Sequence, residues 1–254
     1  MSRFGPSDFA ADVALGRVPN WSCLNKFGRN DSSATGEAVW ATSASATTSF
    51  IIAAETMDVN SNNAADAAAG AGAQKVTIEG LNGSFAEISE EIALTGSGTS
   101  TTTATFIRVN RAYVSEAGTY HVANTADIDI IGNTTAIQQA TILAGKGQTE
   151  KAIYCVPAST SFVLKHIDIS VETAKTIGAA ELFVVRTADD VATAFTSTKR
   201  KLWGASGLDG LVEHVFQCPP VIIGPADVWM ELSGTVAATP TVEAHFGGYL
   251  VVTS

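Results

Sequence analysis

Cysteine is scarce in this chain. Cys23, Cys155 and Cys218 are far apart and odd in number, and no Cys-x-x-Cys pair occurs. That spacing argues against a zinc finger and against a disulfide framework, so reduced thiols are expected. No run of 18 apolar residues exists, which removes the prediction of a membrane-spanning helix and of a membrane partner. Basic charge is thin as well. Fifteen Lys and Arg stand against 25 Asp and Glu, for a net charge of -10, and the densest basic run is Lys199-Arg200-Lys201. Nucleic-acid binders neutralise phosphates with clustered Lys and Arg, so no nucleic-acid partner is expected. An acidic balance suits a protein that stays soluble until it meets a docking surface. The opening Met-Ser-Arg-Phe-Gly-Pro carries neither the apolar core nor the cleavage site of a secretory leader, which predicts assembly in a cytoplasm.

Catalytic signatures are missing too. The chain contains no Gly-x-Ser-x-Gly elbow, no His-Glu-x-x-His and no phosphate-binding or dinucleotide loop. His121, His166, His214 and His245 are isolated in sequence. They read as strand residues facing solvent or a subunit contact, with convergence on a metal or a triad as the alternative. The pairs Glu90-Glu91 and Asp189-Asp190 are adjacent, so on a strand their members face opposite ways, a poor start for paired acid and base. Asp58, Asp66, Asp127 and Asp129 lack calcium-loop spacing. Arg108 and Arg111 read either as exposed strand charges or, with the basic run at 199–201, as an ion-pair belt between subunits. The expectation is a protein with no enzymatic activity, no catalytic residue, no cofactor and no metal.

Short, turn-punctuated apolar segments fill the chain instead. With 254 residues, 46% of them hydrophobic, there is ample material for a core. The first forty residues are distinct, with little alternation, aromatic residues at Trp21, Phe27 and Trp40, and a helical turn over 8–15 started by Ser7 and stopped by Gly16. Beyond Trp40 the period becomes two. Segments 75–79 and 85–94 flank Asn82-Gly83, the strongest hairpin signal in the sequence. The run 101–114 alternates but slips near Asn110, which predicts a bulge or bend. Further strands are predicted over 49–59, 126–131, 136–143, 151–156, 162–171, 181–186, 195–203, 212–217, 228–232 and 242–252. About a dozen short strands without a long amphipathic helix predict an all-β, jelly-roll-like β-sandwich with an extended N-terminal arm. The organisation is an arm over 1–40 and β-rich regions over 41–148 and 149–254, or one shared sandwich over 41–254.

Two stretches carry a resemblance. The first holds Asp8-Phe9, Gly16-Arg17-Val18-Pro19 and Asn25-Lys26-Phe27-Gly28-Arg29-Asn30, leading to Trp40. The second runs from Gly70-Ala71-Gly72-Ala73-Gln74-Lys75-Val76-Thr77-Ile78-Glu79-Gly80-Leu81 to Glu91-Ile92-Ala93-Leu94-Thr95-Gly96. Together they resemble a family of virion structural proteins of tailed bacteriophages, common among marine ones. The acidic run expected between Asn30 and Trp40 is missing here. The resemblance implies a capsid-associated cement, decoration or head-fibre subunit located in the virion. It further implies the major capsid protein or other virion proteins as partners, and a homo-oligomer, with a trimer favoured. On that reading the arm docks through Phe9, Trp21, Phe27, Arg29 and Trp40. The rival readings are a tail or head–tail connector component and a glycan- or receptor-binding module.

Overall fold

The computed structural model describes residues 8–42, 50–119, 121–172, 177–186, 199–208, 210–236 and 240–253. In chain order its elements begin with α1 (Phe9–Ala14) and β1 (Trp21–Asn30). Seven strands follow: β2 (Glu55–Asn60), β3 (Ala73–Leu81), β4 (Glu87–Ala93), β5 (Thr99–Phe106), β6 (Arg108–Ala117), β7 (Ile128–Gly132) and β8 (Gln138–Ile142). The chain ends with β9 (Ile153–Val156), β10 (Thr160–Val171), β11 (Ile177–Arg186), β12 (Arg200–Leu208), β13 (Gly210–Val215), β14 (Val221–Ile223), β15 (Ala226–Val236) and β16 (Val242–Val252).

The predicted all-β sandwich is present twice. One sandwich packs the sheet β1-β16-β10-β13 over the sheet β12-β11-β15-β9, with β14 pairing at the end of β10. Leaving out β14 and counting its other eight strands from one to eight, the sheets read 1-8-3-6 and 5-4-7-2. The antiparallel partners β1 and β16, β9 and β15, β10 and β13, and β11 and β12 therefore sum to nine. That is the pairing of one long antiparallel hairpin rolled across two sheets, which is a jelly roll. Its interior is apolar, with Phe162, Leu164, Ile167, Val228, Met230 and Phe246 all buried.

The second sandwich is inserted between the first two jelly-roll strands. It packs β5-β2-β7-β8 against β4-β3-β6 around Met57, Val59, Val76, Ile78, Phe106, Ile128 and Ile130. The hairpin around Asn82-Gly83 forms as predicted, with the Asn82 side chain accepting hydrogen bonds from the Ser84 and Ala86 amides at 2.9 and 3.1 Å. The predicted run 101–114 splits at Ile107, where the chain crosses from one sheet to the other. The expected bulge is at Asn110, because Glu79 pairs with Arg111 and Gly80 with Val109. Asp66 ties the loops at one end of this lobe. Its carboxylate accepts from Ser61 Oγ at 2.5 Å and from the amides of Ala73, Thr125 and Ala126 at 2.8–3.0 Å.

The N-terminal region is not a free arm. Ten residues of β1 pair with β16 at the edge of the jelly roll, so the segment supplies the fold's first strand. Its alternation escapes a hydrophobicity scan because the inward positions after Leu24 are Lys26, Gly28 and Asn30. Gly28 is required there, since a Cβ would meet the Ala152 amide and the Val39 carbonyl, each at 2.3 Å. The helical turn starts one residue later than expected: Asp8 caps it by accepting from the Ala10 amide, while Ser7 lies outside the described residues. Gly16 ends it at a positive φ of 68°.

Candidate functional site

The seam between the two sandwiches concentrates buried charge. Arg108 and Asp227 are 1% and 0% exposed and form a two-pronged pair, Nε to Oδ1 and Nη2 to Oδ2, both 3.0 Å. Arg108 also donates to the carbonyls of Ile51 and Ile107, and its guanidinium stacks on Phe50 at 4.1 Å. This overturns the expectation of an exposed charge or an intersubunit belt at Arg108: the residue opens β6 at the sheet switch and faces the jelly roll. The bulged Asn110 bridges the same seam, its side chain exchanging two hydrogen bonds with the backbone of Cys155 at 2.8 and 3.0 Å.

Two lysines complete the seam. Lys26 Nζ reaches the Asn110 carbonyl at 2.6 Å, and Lys151 Nζ reaches the carbonyls of Val109 and Gln139 at 3.0 and 2.6 Å. Burial, with neighbouring cations adding to it, lowers both ammonium groups to a pKa of about 7. Cys155 is buried, and the same burial pushes its thiol up, away from the reactive range. These groups are committed to backbone partners between the lobes, so their role is cohesion.

A cleft of about 690 Å³ opens beside this seam. Phe27, Glu79, Glu87, Arg111 and Gln148 are among its walls. Arg111 donates to Gln148 at 3.1 Å and covers the Tyr113 ring at 4.7 Å.

The outer face of the sheet β1-β16-β10-β13 is the second surface. Strand register sets out its rows. Phe27, His245, Asp168 and Glu213 form one, and Asn25, Gly247, His166 and Val215 form the next. His245 Nδ1 lies 3.0 Å from Asp168 Oδ2, and the His166 and His245 rings are 4.9 Å apart. Burial first, then the neighbouring His245, lower the pKa of His166, with Asp168 opposing. The histidines isolated in sequence thus converge in one pair, while His214 packs on Trp203 and Phe216. The usable signal was His166-x-Asp168, two residues that a strand places on one face.

The five proposed docking residues separate into four groups. Phe9 and Trp21 cluster with Tyr249, ring centroids 5.2–5.8 Å apart, and Phe9 stays 47% exposed. Phe27 is 41% exposed between the cleft and the outer face. Arg29 is held by Asp31 and Glu243 at 2.6 and 2.7 Å. Trp40 leaves the set. It is 2% exposed and packs with Ala38, Phe50, Ile153 and Trp229 in the chain's own core, because the segment after β1 turns inward along β15.

No family model matches the chain, and no curated protein matches it in sequence. Solved structures that align over most of its length include two of one virus. The infectious bursal disease virus VP2 subviral particle is 11% identical over 97% of this chain and 78% of that one, with a TM-score of 0.21. The Gt strain of the same virus is 9% identical over 99% and 78%, with a TM-score of 0.15. Alignments this loose carry no argument about function.

Proposed function

We propose that this chain is a non-enzymatic structural component of a tailed-bacteriophage virion, a cement, decoration or head-fibre subunit acting through protein–protein contacts. One observation carries the reading. The segment with the first part of the family resemblance contains α1 and the jelly roll's own first strand, and it leaves Phe9 on the helix and Phe27 on the strand exposed. Jelly rolls recur in capsid and lectin domains, so the architecture is compatible with this role without specifying it. Aromatic anchors on a preformed surface are the usual energetic centres of protein contacts. The partner is the major capsid protein or a neighbouring virion protein, and the subunit is a homo-oligomer, a trimer by analogy with the family. Many copies on one particle multiply a weak contact by avidity.

Mass spectrometry of separated heads and tails tests this. The expected result is the protein in heads, in many copies. Recovery from necks or tails alone moves it to a connector role, and absence from particles overturns the reading. The cleft, with Glu79, Glu87, Arg111 and Gln148 beside Phe27 in its walls, favours one second reading, a glycan-binding module, which clear signals on a glycan array would support.

A further inference from the structure

We propose that His166, Asp168 and His245, on the outer face of the jelly roll, form a binding site for a divalent metal ion of the zinc class. His166 and Asp168 are two residues apart on β10 and so share a face, and His245 is the register partner of Asp168 on β16. Two local features bring His166 into reach. A bulge leaves Lys165 without a register partner on β16, since Leu164 pairs with Gly248 and His166 with Gly247. Gly247 then provides the space for the ring: a Cβ there would meet His166 Cε1 at 2.6 Å and Asn25 Oδ1 at 2.5 Å.

The donor atoms already cluster. One from each of the three residues lies within 4.8 Å of the others, with the Asp168–His245 pair at 3.0 Å. Donors about 2.0–2.1 Å from a tetrahedral zinc stand roughly 3.3 Å apart, so small side-chain rotations close the set. All three side chains are half-buried, and a recess of about 370 Å³ has Asp168 and His245 in its wall. That leaves a coordination position open towards solvent. Two imidazoles and a carboxylate suit zinc, cobalt or nickel over calcium or magnesium, which prefer all-oxygen sets.

The test is titration of the full chain with Co²⁺, followed by visible absorption, and with Zn²⁺, followed by calorimetry in a non-coordinating buffer. Variants are His166→Ala, His245→Ala and Asp168→Ala, with His166→Gln and His245→Gln as substitutes should an alanine variant misfold. Cys23→Ser/Cys218→Ser controls for the exposed thiols. The expected result is one saturable equivalent that survives the thiol control. Each ligand variant should weaken it at least ~10-fold, since loss of even an outer-shell partner costs about that much. Absence of binding at millimolar metal, a weaker dependence on either imidazole, or loss of binding in the thiol control overturns the site.

Discussion

The two sandwiches have similar layers and opposite connectivity. The inserted lobe is continuous in sequence, and its paired strands β3–β4 and β7–β8 follow one another directly. The jelly roll is closed by β1 and β16, which come from opposite ends of the chain. A continuous lobe can assemble once its own segment exists, whereas the jelly roll must bring distant strands together and carry the larger loop-closure entropy. The buried Arg108–Asp227 pair, Asn110 and the two lysines then fasten one lobe to the other.

Removing residues 8–30 is the strongest way to break this comparison. It takes away a strand with ten paired residues, and the expectation is loss of jelly-roll hydrogen-exchange protection while the inserted lobe keeps its own. Such a deletion would therefore abolish the proposed particle attachment through unfolding, so the proposed docking has to be probed with point variants. Arg108→Ala should cost about 3–5 kcal/mol in denaturant unfolding, because Asp227 is left charged and dry. Arg108→Met/Asp227→Leu should recover much of that.

Asp66→Ala should cost about 2–3 kcal/mol and affect the inserted lobe first, since several buried donors lose their acceptor. Burial raises the Asp66 pKa, but its hydrogen bonds outweigh that and hold it below the usual carboxylate value. Its contribution is thus complete above the unfolded carboxylate pKa and is lost as pH falls through the lower folded one. An acid-unfolding scan should find the variant less pH-sensitive than the parent chain.

The seam lysines act in the opposite pH range. Lys26 and Lys151 hold their protons to about pH 7 in the fold and to 10.5 unfolded. The unfolded chain therefore binds more protons between those limits, and this contribution to stability rises with pH. Lys26→Met should flatten the rise between pH 7 and 8.5, below the range where Cys155 and Tyr154 contribute with the opposite sign. The smallest stability effect is expected for Phe27→Ala, within about 0.5 kcal/mol because the ring is half in solvent. Its expected consequence is weaker attachment to the particle, read by co-sedimentation.

Much of the architecture was legible because local chemistry and tertiary role agreed. The Asn82-Gly83 hairpin, the Asn110 slip and strand β16 over 242–252 follow from period-two alternation and turn residues alone. Strand β1 was hidden because its inward side carries a lysine, a glycine and an asparagine that meet backbone and polar groups instead of an oily core. Arg108 misled for the same reason: sequence shows a charge, and only the fold supplies its buried partner 119 residues away. Trp40 was legible as an anchor, but its target is the chain's own Trp229 and Ile153. The His166–Asp168–His245 cluster needed the register of β10 against β16, which no local pattern encodes.

Cryo-microscopy of intact virions tests the central claim most directly. The account predicts density for this two-lobed subunit repeated over the head, with Phe9 and Phe27 against a neighbouring protein. Intact particles that lack such density anywhere would contradict it.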